Sequence, residues 1–185
     1  MNRFANNNRR QFMRLTVAAP LAMLLAGTSG CQSGGMTDRQ LTLTSLDDAI
    51  REAQRLVSIK DLKLDAGWSL PQILEHCAQS IEYSVLGFPE PKSALFQRTV
   101  GAAAYRVFDW RGRMSHNLSE AIPGAPNLNP TVTNDVAMAR MHAAIASFRS
   151  ARALKPHFAY GGLSKEQYAR AHAMHFANHF SVIDA

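Results

Sequence analysis

Three histidines, His172, His175 and His179, stand at i, i+3 and i+7 near the end of the chain. At about 100° per residue, with His175 at zero, His179 falls near about 40° and His172 near about 60°. Tyr168, Phe176, Phe180 and Ile183 share that arc or its edge, whereas Glu166, Gln167, Arg170 and Ser181 lie opposite. The imidazoles therefore line the apolar stripe that a helix turns to its core. Each buried ring has two nitrogens to satisfy, and leaving them without polar partners costs a few kcal/mol. One cation would satisfy several at once. His175 and His179 are one turn apart on one face, the spacing with which two imidazoles share a metal. A third ligand must then come from another helix, and a fourth position left open would make the site catalytic in type. The competing reading is a hydrogen-bonded histidine core without metal.

The elements that must position these rings are helical. Ser164-Lys165-Glu166-Gln167 is a capping box that starts the final helix. Upstream, Ser45 with Asp48 opens a helix running to about Ile59, with Leu46, Ile50, Ala53, Leu56 and Val57 as its apolar face. Ser69 caps a second helix, with Pro71 tolerated in its first turn, that stops at Gly87. Its apolar arc is Ile73, Leu74, Cys77, Ile81 and Val85. By that periodicity His76 is a boundary residue beside Ser80 and Tyr83, and Glu75 points away from the arc. Residues 91–110 read as a third helix, rich in alanine and weakened by Gly101. Thr133 caps a fourth, to about Leu154, packing through Val136, Ala139, Met141, Ala144, Ile145 and Phe148. Residues 111–131 form a loop long enough to be functional, with apolar and proline anchors that favour order. A second loop, 155–163, holds His157, Phe158, Tyr160 and a glycine pair. No stretch alternates at period two for long enough to read as a strand, so the fold class is all-α.

Composition narrows the partners. Of the 20 basic residues, Arg3, Arg9, Arg10 and Arg14 precede residue 31 with no acid among them, which leaves 16 against 14 acidic residues. The net charge of +6 is thus a property of the N-terminal segment. No basic stripe remains for nucleic acid. Two cysteines, Cys31 and Cys77, exclude a disulfide framework, and Cys77 reads as a small buried side chain.

Residues 1–31 read as an export signal. Asn8-Arg9-Arg10-Gln11-Phe12-Met13-Arg14 resembles a twin-arginine motif, and the apolar run from Leu15 to Ala26 that follows is too short to span a bilayer. Thr28-Ser29-Gly30-Cys31 resembles a lipobox, with Thr28 where leucine is usual, and makes Cys31 the expected lipidation site. Residues 32–44 form a flexible tether, and 45–185 the folded domain. The expected location is across the cytoplasmic membrane, as a periplasmic or membrane-anchored lipoprotein.

A further set of segments carries a resemblance over nearly the whole domain: Trp68-Ser69, Ile73-Leu74-Glu75-His76-Cys77-Ala78-Gln79-Ser80, Gly87-Phe88-Pro89, Ile122-Pro123-Gly124-Ala125-Pro126, His157-Phe158-Ala159-Tyr160-Gly161 and His172 to His179. Through them the chain resembles the DinB-like superfamily of metal-binding helical bundles, and within it an uncharacterised bacterial branch known as a domain of unknown function. The resemblance implies a four-helix bundle with an additional helix and long loops. It also implies a divalent metal, zinc or nickel before iron, on His76, His175 and His179. That ligand set gives the boundary position of His76 a use. Relatives often carry another histidine where this chain has Asn178, which places Asn178 with His172 and His157 around the metal or its pocket. His116, in the long loop, could line the pocket mouth or cap backbone, and His142 reads as structural.

Two functions compete on these grounds. One is a metal-dependent transferase or hydrolase, a reaction class the resemblance supplies and the residues do not. The other is a non-catalytic, envelope-tethered bundle that binds metal or a ligand. The partners expected are a small molecule, a membrane through the Cys31 lipid, and a second copy of the chain.

Overall fold

The computed structural model describes residues 38–60, 62, 64 and 67–185. The signal motif, Cys31 and the first residues of the tether lie outside that set. Within it the chain is all-α. The helices are α1 (Leu46–Val57), α2 (Leu70–Leu86), α3 (Ala94–Phe96), α4 (Ala102–Arg111), α5 (Asn134–Ser150) and α6 (Lys165–Phe180). A π-helical segment, Gln97–Gly101, joins α3 to α4 into one continuous run.

Helices α1, α2, α5 and α6 form a bundle in which α2 packs on α5 and α6, and α1 closes against α6 and α5. The core is aliphatic and aromatic: Leu46, Ala53 and Leu56 from α1, Leu74 and Ile81 from α2, Met141 and Ile145 from α5, Tyr168, Phe176 and Phe180 from α6. Caps fix where the helices begin. Ser45 Oγ accepts from the Asp48 N–H at 3.1 Å, and Ser164 and Gln167 exchange the two bonds of a capping box at 2.8 and 3.2 Å. These satisfy N–H groups that a first turn leaves without partners. Lys165 Nζ donates to the carbonyls of Arg149 and Ala151 at 2.6 and 2.9 Å, so the start of α6 is tied to the end of α5. Charge of that sign at a helix C-terminus is favourable.

Several expectations change. The third helix starts at Ala94 rather than at residue 91, because Ser93 caps it, its Oγ accepting from the Phe96 N–H. α5 ends at Ser150, as Ala151 turns to extended backbone. On α5 Val136 and Ala139 are exposed, and Ala137 takes the buried position instead. Glu75, expected outside the apolar arc, is buried because α5 covers that flank of α2. There Arg140 donates to Glu75 at 3.2 Å and to both oxygens of Glu82 at 2.9 and 2.8 Å. Ser181, expected to face water, is buried under the N-terminal strap: its Oγ accepts from the Leu41 N–H at 2.9 Å. His142, read as structural, is exposed on α5.

Gly101 explains why the run from Ala94 to Arg111 tolerates a glycine. A Cβ there would stand 1.9 Å from the Ala159 carbonyl oxygen. The run crosses the 155–163 loop backbone to backbone, and only a residue without a side chain permits it. Gln97 Nε2 donates to the Phe158 carbonyl at 3.1 Å from the same side.

Candidate metal centre

The capped start of α2 and the capping box of α6 set two helices in contact so that His76 faces His175 and His179. The Nε2 atoms of His76 and His175 are 3.2 Å apart, and those of His175 and His179 are 3.1 Å apart. The three rings can each offer one nitrogen to a common point, with the chosen atoms all within 4.8 Å of one another. Nitrogens about 2.0 Å from a tetrahedral ion would be roughly 3.3 Å apart. The three imidazoles thus lie close enough together to hold one metal ion.

His76 is 2% exposed, not a boundary residue. The periodicity of α2 reports its apolar arc, and the flank carrying His76 is covered by the polar residues of α6, which hydropathy does not register. Its Nδ1 is buried without a hydrogen-bond partner among the described residues. His175 Nε2 meets two other Nε2 atoms, yet a neutral ring nitrogen either donates once or accepts through a single lone pair. Imidazole–imidazole hydrogen bonding alone therefore leaves the cluster unsatisfied, which a cation shared by three lone pairs would correct.

Burial keeps the rings neutral and ready to donate lone pairs. It pushes His76 down to about 4, with His116 nearby adding to the effect. It holds His175 and His179 well below the usual histidine range, again reinforced by neighbouring imidazoles.

Two side chains flank the triad that sequence patterning did not assign to it. Trp68 packs its ring 4.7 Å from His76 and 6.1 Å from His179. His116 comes from the long loop to 5.0 Å from His175 and 5.4 Å from His179, centroid to centroid. Those separations match the 4.9 and 5.0 Å within the triad itself. His116 Nδ1 lies 3.0 Å from the Asn117 carbonyl, an acceptor, so Nδ1 carries the proton and Nε2 keeps its lone pair. The signal available in sequence was a histidine within an anchored loop; its approach to α6 depends on the path of that loop.

A cavity of about 210 Å³ opens beside the triad. His76, His116, His157, His172 and His175 line it together with Glu120, and its walls are otherwise mainly apolar, among them Met114, Ile122, Pro123 and Phe158. His157 Nδ1 accepts from the N–H groups of Ala159 and Tyr160 at 3.1 and 3.2 Å. Burial drives that ring down to about 3 and keeps it neutral, so the proton sits on Nε2 and His157 is a fixed donor. His172 is also pushed by burial to about 3, and its Nε2 has no partner among the described residues. Of the expected pocket residues, His157 and His172 line this cavity. Asn178 does not: it faces a second cavity on the other side of His116, and its Nδ2 donates to the His116 carbonyl at a long 3.5 Å.

No curated protein and no solved structure matches the chain. A family model described as a protein of unknown function, DUF1569, matches residues 35–184. The chain belongs to the DUF1569 family.

Proposed function

We propose that this protein binds one divalent cation through Nε2 of His76, His175 and His179, and uses it on a small uncharged molecule admitted through the adjacent cavity. The observation that carries this reading is the convergence of three neutral imidazole nitrogens that cannot satisfy one another. Imidazole donors with no carboxylate in the set suit zinc or nickel better than the iron sites built on two histidines and a carboxylate. A bundle with one histidine from its second helix and two from its last supports the DinB-like reading. Such a cation supplies Lewis acidity to a donor atom of a substrate, the basis of the hydrolytic and transfer reactions to which that reading points.

The protein's own groups limit the substrate. Among the described residues no lysine or arginine lines the cavity, and Glu120 stands in its wall, so an anionic molecule finds no counter-charge from them beyond the metal itself. His157 Nε2–H offers one oriented donor to a carbonyl or hydroxyl oxygen. His116 Nε2, with its lone pair free, is the group placed to accept a proton beside the triad. At the N-terminus, the same reading has the chain exported by its twin-arginine motif and held at the membrane by lipid on Cys31.

Metal analysis of protein folded in cells tests the reading. The expected result is about one equivalent of zinc or nickel, lost in His175→Ala and His179→Ala and kept in His142→Ala. Absence of metal in wild-type protein, with unchanged stability in the two ligand variants, would sink it. Cobalt substitution separates enzyme from binder: a visible band that shifts on adding azide indicates a position open to small molecules, and an unresponsive band favours the non-catalytic bundle.

A further inference from the structure

The run from Ala94 to Arg111 lies outside the four-helix bundle and turns little of itself inward. Gly101 and Tyr105 are its buried residues. Its outward side is apolar. Phe96, Val100, Ala103, Val107 and Trp110 recur at alternating spacings of four and three residues, so they share a face, and Leu95 adjoins it. Trp110 is 86% exposed, Leu95 74% and Val100 60%.

Charge around this face has one sign. Arg98, Arg106 and Arg111 are all exposed. The run's one acid, Asp109, is turned to α6, where Arg170 donates to it at 2.6 and 3.1 Å. A second copy of the chain laid against this face would bring arginines to arginines, with no acid to pair them. An anionic lipid surface complements both the apolar stripe and its basic border.

The start of the described chain lies at the same end of the run. Just past Arg111, Arg113 donates to Asp38 at 3.2 Å and to Gln40 at 3.1 Å. Cys31 precedes Asp38 by seven residues, a span of at most about 25 Å. A lipid on Cys31 would hold Asp38 within that reach of the bilayer, and with it Arg113, three residues past Trp110. No helix among the described residues is long and apolar enough to cross a membrane, so this is a surface contact.

We propose that the outer face of residues 94–111 rests on the membrane, with Leu95, Phe96, Val100, Val107 and Trp110 at the headgroup–acyl boundary and Arg98, Arg106 and Arg111 on anionic headgroups. The proposal rests in part on the reading of Cys31 as lipidated, and the test separates the two. Full chain, as an exporting host matures it, is reconstituted in vesicles of phosphatidylethanolamine and phosphatidylglycerol. The emission of Trp110 is isolated by difference from Trp110→Phe. The expected result is strong quenching by acyl-brominated lipid, protection from aqueous acrylamide, and a several-fold loss of lipid quenching in the triple variant Arg98→Gln, Arg106→Gln, Arg111→Gln. Trp110 open to acrylamide and untouched by brominated lipid overturns the proposal, whatever Cys31 carries. Shielding from both quenchers, in a chain that sediments as a dimer in detergent, overturns it in favour of a second copy. The mass of Cys31 is read on the same sample: unlipidated Cys31 with quenched Trp110 removes the anchor and keeps the face.

Discussion

Helix α6 carries His172, His175 and His179 into the interior, while the run from Ala94 to Arg111 carries Leu95, Val100, Val107 and Trp110 outward. From Ala171 to Ser181 only Asn178 escapes full burial, so α6 is enclosed on nearly every side although all its residues there but Met174, Phe176 and Phe180 are polar or small. The outer run has the reverse arrangement: a hydrophobic stripe in solvent over a single buried tyrosine and a glycine. Burial of polar rings costs free energy unless something satisfies them, and exposure of large apolar groups forgoes the gain of burying them. Both departures concentrate where ligands are inferred, a cation at the first and a lipid surface at the second. The bundle core between them follows the ordinary rule, and its residues have no other role to explain.

The contrast can be broken from the histidine side by acid. The His157 and His172 rings titrate near 3 in the folded protein, and His76 near 4, against about 6.5 for free histidine. The unfolded chain therefore binds more protons, so stability is complete above about pH 6.5 and is lost as pH falls toward the folded values. By pH 5 each of the three rings should have cost about 2 kcal/mol. Urea midpoints of metal-stripped protein between pH 7.5 and 5 measure this, and a flat profile would contradict the burial assigned to these rings.

Aromatic truncation gives the next effect and compares the two regions directly. Phe176→Ala on α6, where the ring is 1% exposed, should cost about 3–5 kcal/mol. Trp110→Ala should stay within about 0.5 kcal/mol in the absence of membranes. Comparable losses in the two variants would mean that the outer run is covered by something in solution. Between these lies Gly101→Ala, which puts a methyl group against the Ala159 carbonyl and should cost about 1–3 kcal/mol as the run shifts off the 155–163 loop. Thermal unfolding reads all three variants.

Much of the architecture is legible in sequence because local chemistry specifies it. Ser45, Ser69, Thr133 and Ser164 begin their helices where side-chain capping predicts. Gly87 ends α2, its N–H donating to the Tyr83 carbonyl at 2.8 Å. The α6 triplet is visible as a face because three inward polar residues are conspicuous against an apolar arc. Periodicity misplaced Val136 and Ala139, since several registers of the alanine-rich α5 share similar hydropathy and packing on α2 selects one of them. It also placed Glu75 outside the core, because its pairing with the half-buried Arg140 of α5 leaves no trace in the hydropathy of α2 alone.

The sequence by itself therefore determined the four bundle helices, the starts of α1, α2, α5 and α6, and the pair His175 and His179, all of which depend on residues within a few positions of one another. Residue patterning left His76 at a boundary and only the family resemblance set it with that pair; the tertiary structure decided that its Nε2 lies 3.2 Å from that of His175, that His116 and Trp68 close around the three rings, and that the run from Ala94 to Arg111 keeps its apolar side exposed. Those relations join residues tens of positions apart, and the packing angles and loop paths that set them are properties of the assembled bundle rather than of any one segment.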